Sequence, residues 1–582
     1  MAIQKDGSII INNFQQGIGE STMDDFVTMK NMNITDSPGI VTASEIIYQY
    51  GPNAAADQTF TADDATDIIT VATTNIYNQN GSTVATATGI AVRFTTTDTL
   101  PAGLAVDTDY FLIYSSVKNF KVATTYANAD DGTAINITDA GTGVHTIVIT
   151  QPDNIKFWTD NSKGTFGLDS VGNVWGMKLS IPFLLPGGGT YKTKGLGLAS
   201  FNNFLFVFRS ANIDVLDVST TAKQEDPIGE SAWTENWKTL NAAAGSNRSH
   251  NSIRSVDGKI YFSDDNYVGS IEELTTFVPA TGATYEYSNQ ALDLPTEVSV
   301  GVLEDFGSNL MIAGSDNKLY SWDRTSDSFD LPIQFPSISS IKTINNVLYV
   351  LSAFDASIYA TNGVSVTRVK LLNSYITDRS NTTSPNQSIL FGNAIADGNR
   401  LLFGVSVYAN DNTNSGVYFY DTITGALAQY YVMDGETLGG TGDFTYDEIY
   451  IINPALGTVY FGDVSGFYRN DYARYYLSYE SQFETGLLKV GDVLNKKAYD
   501  TVIFELEENL NNNEKIKIEY KTTLAGTYIA LAEFDFATYG AVNYLELGVG
   551  LYDITQIEFR VSSQTSSISG LSKVKLKSII IR

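Results

Sequence analysis

The sequence predicts an all-β protein: a seven-bladed β-propeller, with six blades as the alternative, carrying an inserted Ig-like β-sandwich and a C-terminal β-sandwich. Three observations carry that expectation. Thr, Val, Ile and Tyr are abundant beside 48 glycines, a composition of strands joined by tight turns. A unit of apolar strand, polar turn, second apolar strand, second turn and a third strand ending near Asp recurs six times. No stretch shows the periodicity of an amphipathic helix.

The clearest copy contains "SDNKLYSWD", Ser315 to Asp323, with a polar turn, an alternating strand and a closing Trp-Asp. The same order runs through Leu198 to Asp217, Ile253 to Leu274, Val302 to Asp323, Ile341 to Asn362, Asn393 to Asp421 and Gly442 to Asp463. First turns fall at Asn202-Asn203, Asp257-Gly258, Asn345-Asn346, Asp397-Gly398 and Asp447-Glu448. Asn and Asp-Gly pairs suit such hairpins because they accept positive φ at little cost. A seventh copy, Asp153 to Leu179, has the same rhythm in a different phase. Equivalent turns are spaced from the high thirties to the mid fifties of residues, the length of one four-stranded blade. Continuous apolar runs, as in Phe204 to Phe208 and Leu348 to Leu351, predict strands covered on both faces.

Two segments break the repeat. Residues 54–150 are rich in Thr, Ala and Asp, and hold short strands such as "DIITV", "AVRFTT", "YFLIY", "FKVAT" and "HTIVIT". They interrupt a strand that begins at Val41, and the blade is expected to resume at Asp153. In the last hundred residues Ile516, Ile518 and Tyr520 alternate with Lys515, Lys517 and Glu519, the mark of strands buried on one side. The expected organisation is therefore 1–53, an N-terminal arm and first propeller strand; 54–150, the inserted sandwich; 151–480, the propeller; and 481–582, the C-terminal sandwich.

Composition removes several kinds of chemistry. Lys and Arg number 36 against 65 Asp and Glu, a net charge of −29, so a positive field that would hold nucleic acid is not expected. Cysteine is absent, which excludes disulfides, thiolate nucleophiles and Cys-ligated metals. The opening "MAIQKDGSIIINNF" has too short an apolar run for a signal peptide, and no run approaches about 18 apolar residues, so assembly in a cytoplasm is expected.

Motifs that could carry chemistry are better read as architecture. His145 and His250 lie in different expected domains, with no catalytic partners evident. "LDSVGNVW", Leu168 to Trp175, is similar to the Asp-box that stabilises blade hairpins in sialidases, with one extra residue between Asp and Gly. The pairs Asp24-Asp25, Asp63-Asp64, Asp130-Asp131 and Asp264-Asp265 could in principle serve glycoside hydrolysis, but adjacent carboxylates in a strand point to opposite faces. "YANDNTNSGV", Tyr408 to Val417, and "ANADDGT", Ala127 to Thr133, are oxygen-rich, but neither has the Gly at position six with Glu at twelve of a calcium loop. "PGGGTYKTKG", Pro186 to Gly195, lacks P-loop spacing. No catalytic, cofactor-binding or metal residue is assigned, and an enzyme is not expected.

Within Phe60 to Ile149, the runs Leu-Pro-Ala-Gly-Leu at Leu100 to Leu104 and Thr-Asp-Ala-Gly-Thr-Gly-Val-His-Thr at Thr138 to Thr146 resemble a β-sandwich module recurrent in tailed-bacteriophage virion proteins. The opening "NNFQQGIGES...NMNITDSPGIV", Asn12 to Val41, looks like the start of phage propeller proteins of the tail nozzle or DNA-stabilisation type. The "KKAYDTVIFELE", "IKIEYKTT" and "QIEFRV" strands are similar to the sandwich that often follows such propellers. The resemblance implies a structural virion protein of the tail, forming a homo-oligomeric ring, commonly sixfold, below the portal and adaptor. Viral double-stranded DNA is held behind such a ring and conducted through it on ejection. The competing expectation is a receptor-binding or adhesive tail appendage recognising a host glycan.

Overall fold

The computed structural model describes, with breaks, residues 58–149, 155–185, 195–273, 285–372, 389–432 and 481–582, together with strands inside 2–49 and 450–475. Among these the protein is all-β, and its only helices are single turns at Tyr126–Asp130, Thr221–Glu225 and Phe536–Tyr539. It divides into two compact units. One comprises residues 48–335 and 460–469; the other comprises 1–47, 336–459 and 470–582.

The 48–335 unit begins with the insert, and here one expectation is corrected. The strands Gln58–Asp63, Ile68–Val71, Ala91–Thr96, Tyr110–Ser116, Asn119–Ala123 and His145–Ile149 do not form two facing sheets of an Ig-like sandwich. They close into a six-stranded antiparallel barrel, because Ala91–Thr96 pairs with both Tyr110–Ser116 and His145–Ile149. Closure leaves no free edge on strands too short to guard one. Phe60, Ile69, Val92, Phe94, Leu112, Phe120 and Ile147 fill the interior.

Four sheets of four antiparallel strands follow, each a meander in chain order: 155–185, 197–239, 252–293 and 300–334. The 155–185 sheet is complete in itself, with all four strands after the insert, so it is not the resumption of a strand begun at Val41. Neighbouring sheets pack face on face. Phe166 and Leu168 meet Leu205 and Val207; Phe206 and Phe208 meet Ile260 and Phe262; Tyr261 and Val268 meet Leu310 and Ile312. Burial on both faces follows, as the apolar run Phe204–Phe208 predicts.

The hairpins turn where the sequence places them. Phe201 pairs with Phe204 across Asn202-Asn203, and Ile344 with Val347 across Asn345-Asn346. Asn202, Asn345 and Asn346 adopt φ of 46°, 50° and 60°, the left-handed region that short polar side chains tolerate. The Asp447-Glu448 turn lies outside the described residues. Tyr460–Asp463 and Gly466–Arg469 form a further hairpin of this unit.

In the other unit, the 340–371 strands form a four-stranded sheet. Ile389–Asp397, Arg400–Val407, Gly416–Asp421 and Leu427–Val432 form the same meander, and Tyr349 packs on Tyr420 across the two. This second meander does not end at its fourth strand. Phe26–Lys30 pairs parallel to Leu427–Val432 and antiparallel to Ser481–Thr485, and the sheet runs on through Gln556–Gln564, Lys515–Lys521 and Ile529–Asp535. A five-stranded sheet faces it, with Phe504 against Phe534 in the core between them.

The strand order of that five-stranded sheet is Ala2–Lys5, Ser8–Ile11, Leu576–Ile581, Lys497–Leu506, Tyr544–Ile554. Residues expected to belong only to an arm and a propeller strand therefore help build the C-terminal sandwich. The cause is apolar: Ile9 and Ile11 are fully buried, and Ile9–Ile11 registers with Ile579–Ile581.

Candidate functional site

Three hairpins share an Asp whose carboxylate takes the hydroxyl of a Tyr four residues on: Asp257 with Tyr261 at 2.7 Å, Asp316 with Tyr320 at 2.9 Å and Asp355 with Tyr359 at 2.5 Å. The spacing D-x-x-x-Y is visible in "DGKIY", "DNKLY" and "DASIY", and would have flagged the lock from sequence. Accepting that bond and losing solvent both hold the phenol protonated: burial, then Asp316, raises Tyr320 to about 12.

The Asp that closes the third strand has a second duty. Asp217 accepts from the Ser219 amide, Asp323 from Thr325 and Ser326, and Asp421 from Ile423 and Thr424, at 2.8–2.9 Å. Asn362 does the same for Val364 and Ser365. These are Asx turns that start the loop to the fourth strand. The bonds from the Ser326 and Thr325 amides lower Asp323 to about 2.

The Asp-box-like stretch is likewise an internal brace. Asp169 accepts from the Asn173 amide at 2.7 Å and from the buried Trp175 indole at 2.7 Å, while Gly172 takes φ of 91°. Trp175 and Leu184 in turn carry Ala91, Phe111, Ala123 and Ala129 of the barrel, so the same hairpin docks the insert.

Both histidines are buried; both ring nitrogens of His145 have partners, whereas His250 is held through Nδ1 and its buried Nε2 has none. In His145, Nδ1 lies 2.9 Å from the Thr96 hydroxyl and Nε2 lies 3.1 Å from the Ala140 carbonyl. His250 sits between the 197–239 and 252–293 sheets, with Nδ1 2.7 Å from the Ser263 carbonyl and its ring stacked on Phe208. Burial pushes its pKa down, against the pull of that carbonyl and of Asp264.

Among the described residues the acid pairs lie in separate turns and caps. Asp63 is an exposed turn cap, accepting from the Ala65 amide and the Thr66 hydroxyl. Asp130 ends the Tyr126–Asp130 helix and Asp131 caps it, which accounts for "ANADDGT". Asp264 is fully buried, taking the Asn241 amide at 2.5 Å, whereas Asp265 forms the next turn with φ of 60°. Asp24-Asp25, residues 408–414 and residues 186–194 lie outside the described residues, as does most of the Asn12 to Val41 resemblance. Among the described residues no three His, Cys, Asp or Glu side chains gather as metal ligands, and no helix is long and apolar enough to cross a membrane.

The two phage-like runs in the insert meet in space. Gly141, at φ of 71°, lies where a Cβ would come within 2.6 Å of the Pro101 nitrogen and the Thr99 carbonyl. Thr99 and Thr142 exchange backbone hydrogen bonds, and Asp139 accepts from the Gly141 amide at 2.7 Å. The runs are two halves of one lock at the barrel end.

Phe354 is 83% exposed on a loop held by bonds of Ser352 and Tyr359 to Asp355, and Val364 and Ile423 stand out from Asx-turn loops of adjacent sheets. Among the described residues the end strands of the sandwich sheets pair on one side only. Such features fit protein contact.

No family model and no curated protein matches the chain. Solved structures that it is similar to include the WD40 β-propeller domain of Doa1, at 11% identity over 55% of this chain and 93% of that one, with a TM-score of 0.35. BamB from Moraxella catarrhalis is 11% identical over 65% and 96%, TM-score 0.31. A chain of a mitotic checkpoint complex is 12% identical over 55% and 89%, TM-score 0.36. At these scores the likenesses add nothing to what the meander sheets themselves show.

Proposed function

We propose that the chain is a non-enzymatic structural protein of a tailed-bacteriophage tail: a nozzle or stopper ring that retains packaged double-stranded DNA and conducts it on ejection. In this reading the repeated meanders are the blades of one propeller. Seven blades is the preferred number: five complete sheets, the 389–432 meander, and the 460–469 hairpin as part of the seventh. The observation that carries the reading is where the acids and histidines go. Most of the described motifs that sequence offered for chemistry cap a turn, brace a hairpin or dock the insert, as befits a scaffold. The phage-like runs of the insert supply the particle, and the charge of −29 suits a lumen that DNA passes without being held.

Partners are then further copies of the chain in a ring, most simply a hexamer, together with portal, adaptor and other tail proteins. The place of action is the virion tail, after assembly in the host cytoplasm. Antibody labelling of intact virions in negative stain is expected to mark the tail next to the capsid vertex; label spread over the capsid shell would overturn the reading. Loss of host adsorption after deletion of 54–150, with tail assembly intact, would favour the adhesive appendage instead.

A further inference from the structure

Among the described residues the five-stranded sheet of the sandwich ends in two strands that pair on one side only. Among the described residues, Ala2–Lys5 ladders only with Ser8–Ile11, and Tyr544–Ile554 only with Lys497–Leu506. Proteins guard such edges with Lys, Pro, bulges or a covering segment, because an open ladder pairs with other chains. The Tyr544–Ile554 edge has eleven residues, no Lys and no Pro. Its inward row of Leu545, Leu547 and Val549 is only half-buried, although Val502 and Phe504 on the next strand are fully buried. Ile529, on the end strand of the facing sheet, is 57% exposed.

Register narrows the usable part of the edge. Tyr544 to Gly548 ladders regularly against Glu505 to Thr501; beyond Gly548 the pairing is bulged, and Asp553 takes φ of 61°. The regular part accommodates one short strand, and a short strand is what the opposite edge of the same sheet offers, the four residues Ala2–Lys5. Glu546, in the middle of that regular part, is held at 2.9 Å by Arg582 of its own chain, so the match rests on strand length and not on charge.

We propose that Ala2–Lys5 of a second copy of this chain adds to the Tyr544–Gly548 edge, so that the sheets of neighbouring copies continue into one another. Because the two surfaces lie at opposite ends of one sheet, the contact is head to tail, and repetition by rotation closes a ring. The inference rests on the ring reading and names the strands that make the ring.

The chain has no cysteine, so introduced thiols report cleanly. In one chain the two edges are separated by four strand spacings, about 19 Å, too far for a disulfide. Mild oxidation of full-length protein carrying Gln4→Cys with Glu546→Cys is expected to give a ladder of covalent multimers, and each single variant none. Gly548→Cys in place of Glu546→Cys is the second pair; a Cβ at Gly548 meets nothing within 4 Å.

Rings that form without cross-linking in either pair would overturn this inference and leave the ring reading standing. Dimers cross-linked by Glu546→Cys alone would overturn it in favour of a two-fold edge contact. A wild-type chain that stays monomeric in assembled tails would overturn both.

Discussion

At the scale of single residues, polar side chains in this protein act on backbone, and their chemistry is that of turns. Gly141 shows how narrow the tolerance is. It combines a left-handed φ with backbone atoms 2.6 Å from any Cβ, so Gly141→Ala is expected to cost about 2 kcal/mol or more and to lower the thermal midpoint of the barrel by several degrees, as read by calorimetry. His250 predicts a pH dependence. The unfolded chain takes up a proton near the ordinary value of 6.5, while burial makes the folded protein refuse it until lower pH. The unfolded state therefore binds more protons in that window, and stability falls as pH drops below about 6.5. Denaturant midpoints between about pH 7 and pH 5.5 should slope for wild type and flatten for His250→Asn. An identical slope in both would show that another group carries the effect.

At the scale of elements, much was legible from sequence because hairpins are local. "AVRFTT" is a strand residue for residue, and Asn345-Asn346 turns as its side chains require. The C-terminal alternation holds as well: Ile516 and Ile518 are fully buried, while Lys515 and Lys517 find Glu533 and Glu519 on the outer side. What the sequence hid was pairing between distant segments. Nothing in "SIII" says that its partner lies at Ile579–Ile581, nor that Phe26–Lys30 sits between a meander strand and a sandwich strand. Barrel closure was hidden for the same reason: the period of a strand tells which residues face inward, and a sandwich and a barrel share that pattern. The buried N-terminal strand carries its own prediction. Ile11→Ala empties a fully buried site between Leu576–Ile581 and the facing sheet, and is expected to cost about 3 kcal/mol in urea unfolding followed by a sandwich-located fluorophore. A cost near zero would mean that the strand is not held there in solution.

At the scale of the whole molecule, charge is the property that sequence states without any knowledge of the fold. A DNA-binding protein gains affinity by releasing counterions from phosphates, and needs clustered Lys and Arg for it. Here 65 acids face 36 bases, and among the described residues Arg209, Arg324, Arg560 and Lys521 are already committed to Asp214, Asp305, Glu484 and Glu558. A conduit needs this balance: an attractive wall would stall each phosphate that passed, whereas a repelling one keeps the duplex away from the protein and lets pressure move it. Purified, assembled protein is therefore expected to show no binding to a fluorescent duplex at 150 mM salt, with a dissociation constant weaker than about 10⁻⁴ M by anisotropy. Lowering the salt should not rescue binding, because weaker screening strengthens repulsion between like charges. Micromolar binding with a steep salt dependence would require a basic lining and would turn the reading from a channel towards a clamp.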